Sequence, residues 1–267
     1  MRNLFRSPKN FLLLIICFLF VGWTMPDKKD KKDFYQVVIY NLKSETQVAA
    51  VDLFLKDAYL PAVHRAGIKN IGVFKPIVND TVEVKKIYVF MPFTSLQQWQ
   101  KLADILEKDV TYQTASKTFA NAAANKKPYE RVESILLEAF PMLKRMVLPN
   151  LKNPLTQRVY ELRSYESPTA HLHKLKVKMF NEGGEIALFN TLGFNAVFYS
   201  RVLSGSKMPN LMYMTTFENM EDRNAHWESF VNSAEWKRLS TLPEYENDVS
   251  ISRNEMVLMH PAAYSDF

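Results

Sequence analysis

The chain has 267 residues, of which 47% are hydrophobic and 23% are charged, and its formal net charge is +6. Residues 1–33 carry seven Lys or Arg against three Asp, so the rest of the chain is near neutral. This distribution excludes a basic nucleic-acid-binding face, which would need cations clustered on the folded part. The length predicts one large domain or two of ordinary size.

The first 25 residues predict a signal peptide or an N-terminal anchor. Three basic residues precede an apolar stretch over 11–25, which matches a secretory leader and is shorter than the roughly 20 residues of a membrane-spanning helix. Residues 26–33 are a charged linker without hydrophobic residues. We therefore expect the body to be exported, periplasmic or extracellular, and to contact a membrane only through residues 11–25 if the leader is not cleaved. The single cysteine, Cys17, lies in this leader, so disulfide and thiol chemistry is excluded from the body.

The first part of the body predicts strands and helices in the order β-α-β-β-α-β. Alternation indicates strands at 34–40, 70–78 and 84–93, and apolar residues at three- and four-residue steps indicate the helices between them. The first helix has its stripe at Val48, Val51, Leu55, Ala58 and Ala62, and the second at Trp99, Leu102, Ala103, Leu106 and Val110. A fourth strand at 129–140 is predicted with imperfect alternation, and a helix remains an alternative there.

The same order returns after a linker at 141–154. A strand at 159–166 is followed by a helix that begins near Thr169, with Leu172, Leu175 and Met179 inward, and by a short helix between Gly183 and Gly193. Strands at 195–204 and 210–218, a helix with Trp227 and Phe230, and a strand over about 249–259 complete it. Several positions recur at a spacing of about 125 residues, including Tyr88 and Tyr213.

These patterns predict an α+β fold made of tandem ferredoxin-like repeats, at 34–140 and 155–267. Each repeat would form a sheet with helices on one face and an uncovered second face. Two such sheets in one chain can cover each other, which predicts a pseudo-symmetric barrel with the helices outside. Because the barrel closes within one chain, both a monomer and a homodimer remain open.

The run Tyr160-Glu-Leu-Arg-Ser-Tyr165 provides the most polar candidate site. Side chains alternate along a strand, so Glu161, Arg163 and Tyr165 share one face, which we expect to point into the barrel while Tyr160 and Leu162 pack on the helices. The full set of predicted barrel-facing ligand contacts is Glu161, Arg163, Tyr165, Tyr199, Arg201, Tyr213, Tyr40, Tyr88 and His226. An internal Glu–Arg pair satisfied by tyrosine hydroxyls is an equally weighted structural alternative.

Other chemistry finds little support in the sequence. His226 would stand beside Trp227 at the barrel mouth as a haem ligand or a base, but no second ligand lies at a matching spacing, and a histidine at the edge of the core is the simpler interpretation. No Gly-rich phosphate loop, G-x-S-x-G or C-x-x-C motif occurs. We therefore predict no metal site and no cofactor.

Several motifs of the second repeat occur together. They are Tyr160–Tyr165, Gly193 before a strand, Trp227 and Trp236 in the late helices, and Met256-Val-Leu-Met-His-Pro-Ala-Ala-Tyr-Ser265. In these motifs the chain resembles the NIPSNAP family of the dimeric α+β barrel superfamily. The resemblance covers about residues 155–267, and the first repeat is a more divergent relative. The resemblance implies the barrel fold and the association of two units, but no settled activity and no catalytic residue, because relatives elsewhere in the superfamily include monooxygenases, isomerases, haem enzymes and stress-response binding proteins. The export-like leader departs from the mitochondrial members.

Three functions follow as hypotheses. The first is an exported protein that binds a small hydrophobic or aromatic ligand between its two sheets, with weak catalysis or none. The second is a cofactor-poor monooxygenase or isomerase, in which Glu161 or His226 moves a proton. The third is a structural or protein-interaction module that uses an exposed apolar surface.

Overall fold

The computed structural model describes residues 31–267, so the predicted leader and most of the charged linker lie outside the described residues. The body contains eight antiparallel strands and nine α-helices within that range. The strands are β1 (Phe34–Leu42), β2 (Gly72–Pro76), β3 (Lys85–Phe93), β4 (Arg131–Ala139), β5 (Val159–Glu166), β6 (Phe198–Ser204), β7 (Asn210–Phe217) and β8 (Arg253–Pro261). The strand predicted at 129–140 is confirmed, and its helix alternative is wrong.

Most of the helices lie between the strands of each half. They are α1 (Glu45–Phe54), α2 (Leu60–Arg65), α3 (Leu96–Lys108), α4 (Val110–Ala120), α5 (Ala170–Asn181), α6 (Glu185–Thr191), α7 (Met220–Asn232), α8 (Ala234–Ser240) and α9 (Asn247–Ser250). A π-helical turn, Leu55–Tyr59, joins α1 to α2. The side chains of Ser44, Ser95, Thr169 and Asn219 cap α1, α3, α5 and α7 by accepting a backbone N–H three residues later.

The strands close into one barrel in the order β1-β3-β2-β8-β5-β7-β6-β4. Within each half the order is that of a ferredoxin-like sheet, and the halves join where β2 pairs with β8 and β4 pairs with β6. The predicted α+β barrel is therefore confirmed. The proposed domain boundaries remain a prediction, although residues 141–154 contain a single 3-10 turn and no strand.

The barrel interior is filled by large apolar side chains. Phe90, Tyr35 and Phe198 contact one another, with the Phe90 ring centroid 5.3 Å from that of Tyr35 and 4.8 Å from that of Phe198. Phe267 enters from the C-terminal segment and contacts Phe74 and Tyr160. A second and a third apolar cluster lie on the outer face of the barrel, where the helices of each half cover the sheet.

Candidate functional site

The β5 residues face in the direction opposite to the prediction. Tyr160 and Leu162 belong to the barrel interior, whereas Glu161, Arg163 and Tyr165 lie on the outer face of the sheet, beneath α5 and α7. The sequence had correctly placed the three polar residues on one face. The expectation that this face points into the barrel is wrong, because the interior is the aromatic layer and the helix side holds the charges.

Most of the other predicted contacts also lie outside the barrel interior. Tyr199 and Tyr213 share the outer face with the β5 trio, and Tyr40 occupies the equivalent helix-covered face of the first half. Arg201 is half exposed and pairs with Glu138 across the β4–β6 junction. Of the nine predicted residues, Tyr88 alone belongs to the interior cluster.

His226 does not reach the mouth of the barrel. Its ring packs against Phe194 and Phe217, and its Nδ1 lies 2.7 Å from the backbone oxygen of Asp222. This position on α7 is that of a histidine at the edge of the core. It is not among the residues that line the cavity described below.

Glu161 is the centre of a buried ionic cluster. Its carboxylate is fully buried and accepts hydrogen bonds from Arg163 Nε at 2.5 Å, Arg223 Nε at 2.7 Å and Trp227 Nε1 at 2.8 Å. Arg223 and Trp227 are four residues apart on α7, so they project from one face of that helix. The Arg163 guanidinium also stacks 3.7 Å above the Trp227 ring, and its Nη1 donates to the Tyr165 hydroxyl at 3.0 Å.

The pKa of Glu161 follows from this surrounding. Burial alone would raise the pKa of the carboxyl, but the hydrogen bond from Arg223 and the charge of Arg163 more than offset it, so the pKa is lowered. Glu161 is therefore a permanent carboxylate at neutral pH. One carboxylate is shared by two guanidinium groups, so the cluster retains a net positive charge.

A second pair of ionisable residues lies beside this cluster. Lys176 on α5 and Glu185 on α6 are both almost fully buried, and Lys176 Nζ lies 3.9 Å from Glu185 Oε2. Burial lowers the pKa of Lys176 and raises the pKa of Glu185, in each case favouring the uncharged form. The Oε2 atom of Glu185 and the hydroxyl of Tyr199 are buried without a hydrogen-bond partner in the described part of the chain.

Residues of the Glu161 cluster and the Lys176–Glu185 pair line a single cavity of about 300 Å³, which lies between the sheet and the helices of the second half. Its lining includes Arg163, Tyr165, Lys176, Glu185, Arg223 and Trp227. Tyr213 also lines it, with its hydroxyl 2.9 Å from that of Tyr165. A concave site of this size, with aromatic walls and a few convergent polar groups, can hold a small organic ligand.

The equivalent place in the first half has no such cluster. The strand pairing Phe34–Phe93 corresponds to Val159–Phe217, which places Gln36 and Val38 at the positions of Glu161 and Arg163. Counting from the helix caps, Val51 takes the position of Lys176, and Trp99 takes that of Arg223. The same fold is thus built in the first half without these four ionisable side chains.

Sequence reasoning missed several residues of the cavity, namely Lys176, Glu185, Arg223 and Asn247. Arg223 could have been identified from the sequence, because it precedes Trp227 by four residues and therefore lies on the same face of the predicted helix. Lys176 lies on the stripe that also carries Met179 and Phe180, and a lysine on an apolar stripe is such a signal too. Asn247 accepts a hydrogen bond from Lys176, which lies 71 residues earlier, and no local sequence pattern predicts this contact.

Two other hollows carry less chemistry. A hollow of about 630 Å³ lies between α1 and α4, and one of about 480 Å³ opens at an end of the barrel near Tyr88 and Met256. Residues 31–267 contain no group of three His, Cys, Asp or Glu side chains that could hold a metal ion. Over the same residues, no helix combines the length and apolar character needed to cross a membrane.

Comparison with known proteins supports the fold and the family resemblance. Residues 160–266 match the NIPSNAP family model. A NIPSNAP family protein from Agrobacterium tumefaciens is 18% identical with a TM-score of 0.36, covering 41% of this chain and 90% of its own. No curated protein matches the sequence.

Longer structural matches cover both halves. A candidate monooxygenase from Lactobacillus acidophilus is 10% identical with a TM-score of 0.55, covering 86% of this chain and 94% of its own. An anthrone oxidase-like protein is 9% identical with a TM-score of 0.50, covering 87% and 92%. At these identities the similarity establishes a shared barrel fold.

Proposed function

We propose that this protein binds a small aromatic anion in the charged cavity, which is formed by β5, β7 and the helices that cover them. Residues 160–266, which match the NIPSNAP family model, contain all the residues that line this cavity. The observation that carries the proposal is the sharing of one buried carboxylate, Glu161, by Arg163 and Arg223. An excess of positive charge on largely buried side chains is costly, and an anionic ligand in the cavity would neutralise it. Trp227 and Tyr213 supply aromatic surface beside the guanidinium groups.

The difference between the halves supports a functional origin for this cluster. A buried ion pair is rarely a better stabiliser than apolar residues of similar volume. The first half builds the same layer with Val38 and Val51, so the fold does not require charges at these positions. Charges kept in one half only are most simply explained by a ligand bound in that half.

The proposed ligand site differs from the one expected from the sequence, which lay between the two sheets. A site between the two sheets would need space in the barrel interior, where Tyr35, Phe90, Phe198 and Phe267 pack against one another. The polar groups that can orient a ligand lie instead under the helices. We therefore assign the ligand to the helix side of the second half.

The test is a fluorescence titration of the full chain with phenylacetate, using 2-phenylethanol as the neutral analogue. We expect phenylacetate to change the tryptophan emission. The change should be reduced in Trp227→Phe, with Trp236 as the other tryptophan of the cavity, and kept in Trp99→Phe, whose tryptophan lies in the first half away from the cavity. Arg223→Gln should weaken binding by about tenfold or more, because a hydrogen bond to a charged group contributes about 1.5–3 kcal/mol. Arg201→Gln is the control arginine, and equal affinities for the two arginine variants would contradict the proposal.

A second candidate is chemistry on the bound ligand, as a cofactor-poor monooxygenase or isomerase. Glu185 favours it, because a buried carboxyl group with a raised pKa inside a cavity is suited to proton transfer. The fold is shared with proteins described as candidate monooxygenases, which provides an assay rather than an assignment. Oxygen uptake with phenolic and enolisable compounds, lost in Glu185→Gln, would support this candidate, and unchanged uptake would remove Glu185 from it.

Two further proposals concern the whole protein. The first is export, which rests on the leader-like residues 1–25. It is tested by N-terminal sequencing of the protein from its host, together with cell fractionation.

The second is an interaction role, which rests on exposed Val78, Val84, Met220 and Met256 around the hollow at the barrel end. Unchanged oligomeric state and solubility in Val78→Ser/Met256→Ser would remove that surface as an interface between copies.

A further inference from the structure

We propose that Lys176 is a nucleophilic amine that forms an imine with a small aldehyde or ketone carrying an anionic group. The inference rests on the proposed function in one respect, since Arg163 and Arg223 would hold the anionic group. It goes beyond that function because it assigns a covalent step to a residue on α5. The substrate class becomes an anionic carbonyl compound such as a 2-oxo acid.

Lys176 is placed as a reactive amine rather than as a surface cation. The residue is 1% exposed, and it lines the cavity together with Arg163 and Arg223. Its Nζ lies 5.8 Å and 5.6 Å from the ring centroids of Tyr165 and Phe180. Among the described residues, the carboxylate nearest to Nζ is that of Glu185, whose Oε2 is 3.9 Å away and so beyond hydrogen-bond distance.

The hydrogen bonds of Lys176 also suit a neutral amine. Nζ donates to Asn247 Oδ1 at 2.8 Å and to Met179 Sδ at 3.1 Å. A neutral amine has two hydrogens and one lone pair, whereas an ammonium has three donors, and a thioether is a weak acceptor. Burial lowers the pKa of Lys176, which increases the fraction of the amine that can attack a carbonyl carbon.

Glu185 provides the acid that this step needs. Its Oε2 atom is buried without a hydrogen-bond partner in the described residues, and it lines the same cavity. Burial raises the pKa of Glu185, which increases the fraction of the carboxyl group that carries a proton beside the amine. The position equivalent to Lys176 in the first half is Val51, so this reactivity belongs to the second half.

The step balances with these two residues. The Nζ lone pair forms a C–N bond as the carbonyl π electrons move to oxygen, which takes the proton of Glu185. The Glu185 carboxylate then removes a proton from the nitrogen, leaving a neutral carbinolamine. Glu185 next protonates the hydroxyl group, water leaves, and the nitrogen lone pair forms the C=N bond. The product is an iminium ion paired with the Glu185 carboxylate.

The experiment is reductive trapping on the full chain. The protein is incubated at pH 7 with phenylpyruvate and sodium cyanoborohydride, and the modified lysines are located by peptide mass spectrometry. We expect Lys176 to be modified at least about tenfold faster than Lys178, an exposed lysine on the same helix, because the cavity would hold the carbonyl carbon beside Nζ and burial lowers the pKa of the amine. Even labelling of both lysines in the wild-type protein would overturn the proposal without any variant being needed.

Three comparisons sharpen the result. Lys176→Met should abolish the fast adduct, while Lys178→Met should leave it unchanged. Phenylacetone, which lacks the carboxylate, should react more slowly than phenylpyruvate. Glu185→Gln keeps the amine and should slow trapping by about 10²-fold, as expected for loss of a general acid. Unchanged trapping in Glu185→Gln would overturn the role of Glu185.

Failure of this inference is distinguishable from failure of the proposed function. If phenylpyruvate changes Trp227 emission but no adduct forms at Lys176, the imine is excluded and the anion site stands. If phenylpyruvate forms no adduct and neither phenylpyruvate nor phenylacetate changes the emission, both are overturned. An adduct at Lys176 that is insensitive to Arg223→Gln would support the amine and contradict anion recognition by the arginines.

Discussion

Glu161 balances two largely buried guanidinium groups, those of Arg163 and Arg223, and its replacement should lower the free energy of unfolding directly. Glu161→Gln would leave Arg163 and Arg223 without a compensating charge beside the sheet. Breaking a buried pair in this way costs about 3–5 kcal/mol. We expect urea denaturation at pH 7 to show a loss in that range.

The control for this prediction is Glu45→Gln on α1, whose carboxylate is exposed and pairs with Lys85. Surface ion pairs of this kind contribute at most about 1 kcal/mol. Equal losses in the two variants at pH 7 would contradict the central role of Glu161.

The contribution of Glu161 to the free energy of unfolding should also depend on pH. Because folding lowers the pKa of Glu161, this contribution is present above the unfolded-state pKa of about 4.3 and is lost as the pH falls through the folded-state pKa.

Glu185 should show the opposite dependence on pH. Folding raises its pKa, so its stabilising contribution is complete below about pH 4.3 and is lost as the pH rises through the higher folded value. We therefore expect Glu185→Gln, compared with wild type by chemical denaturation, to become relatively more stable between pH 4.5 and 7. A variant that becomes relatively less stable over this range would indicate a charged Lys176–Glu185 pair instead.

At the level of single residues, the sequence predicted which residue types form the site better than it predicted the face of the sheet on which each residue lies. The spacing of 125 residues between Tyr88 and Tyr213 suggested equivalent roles, yet the strand pairing shifts by 124 at this point. Val89 is therefore the counterpart of Tyr213, and Tyr88 faces the interior. A shift of one residue in a strand moves a side chain to the opposite face, and no feature of the local sequence reveals it.

Among the elements, β5 shows why a strand's direction could not be predicted. Its alternation correctly separated Glu161, Arg163 and Tyr165 from Tyr160 and Leu162. Both faces of a barrel strand under helices are buried, so the usual rule that the polar face meets solvent does not apply. Only the packing of α7, which brings Arg223 and Trp227 to Glu161, identifies the charged face as the outer one.

The helix α3 shows a related limit. Val110 continues its apolar stripe and was expected to point inward, but it is exposed. The helix ends at Lys108, and Asp109 caps α4 by accepting from the backbone of Tyr112. An aspartate inside an apolar periodicity is a start signal as strong as the periodicity itself.

The junction between α5 and α6 sets the place of Glu185. Gly184 precedes α6 with a φ of +102°, in the left-handed region, where a side chain costs about 1–2 kcal/mol. A Cβ at Gly184 would meet no atom within 4 Å, so the cost of Gly184→Ala is backbone strain alone. We expect thermal and urea unfolding to show this loss.

Gly67 offers a matched control in the first half. Its φ is +84°, and a Cβ there would also meet open space, so Gly67→Ala should destabilise the chain by a similar amount. We expect phenylacetate binding to weaken in Gly184→Ala and to be unchanged in Gly67→Ala. Equal affinities in the two variants would show that the junction does not position the cavity wall.

For the molecule as a whole, Phe267 links the two halves inside the barrel. Its ring contacts Phe74 of β2 and Tyr160 of β5, which belong to different halves. Removing a buried phenylalanine ring costs about 3–5 kcal/mol. We expect Phe267→Ala to lower the free energy of unfolding by that amount in urea titrations, whereas Leu148→Ala, at a half-exposed position, should change it by less than about 0.5 kcal/mol.

Closure of the barrel within one chain makes a final prediction. Both sheet edges of each half are paired, through β2 with β8 and β4 with β6, so no strand edge of the barrel requires a second copy. The stability of an obligate dimer depends on concentration by mass action, while that of a chain folded alone does not. We therefore expect the same melting temperature over a 100-fold dilution, within about 1 °C. A melting temperature that falls on dilution, with a dimeric mass at high concentration, would show that a second copy stabilises the fold through its helices.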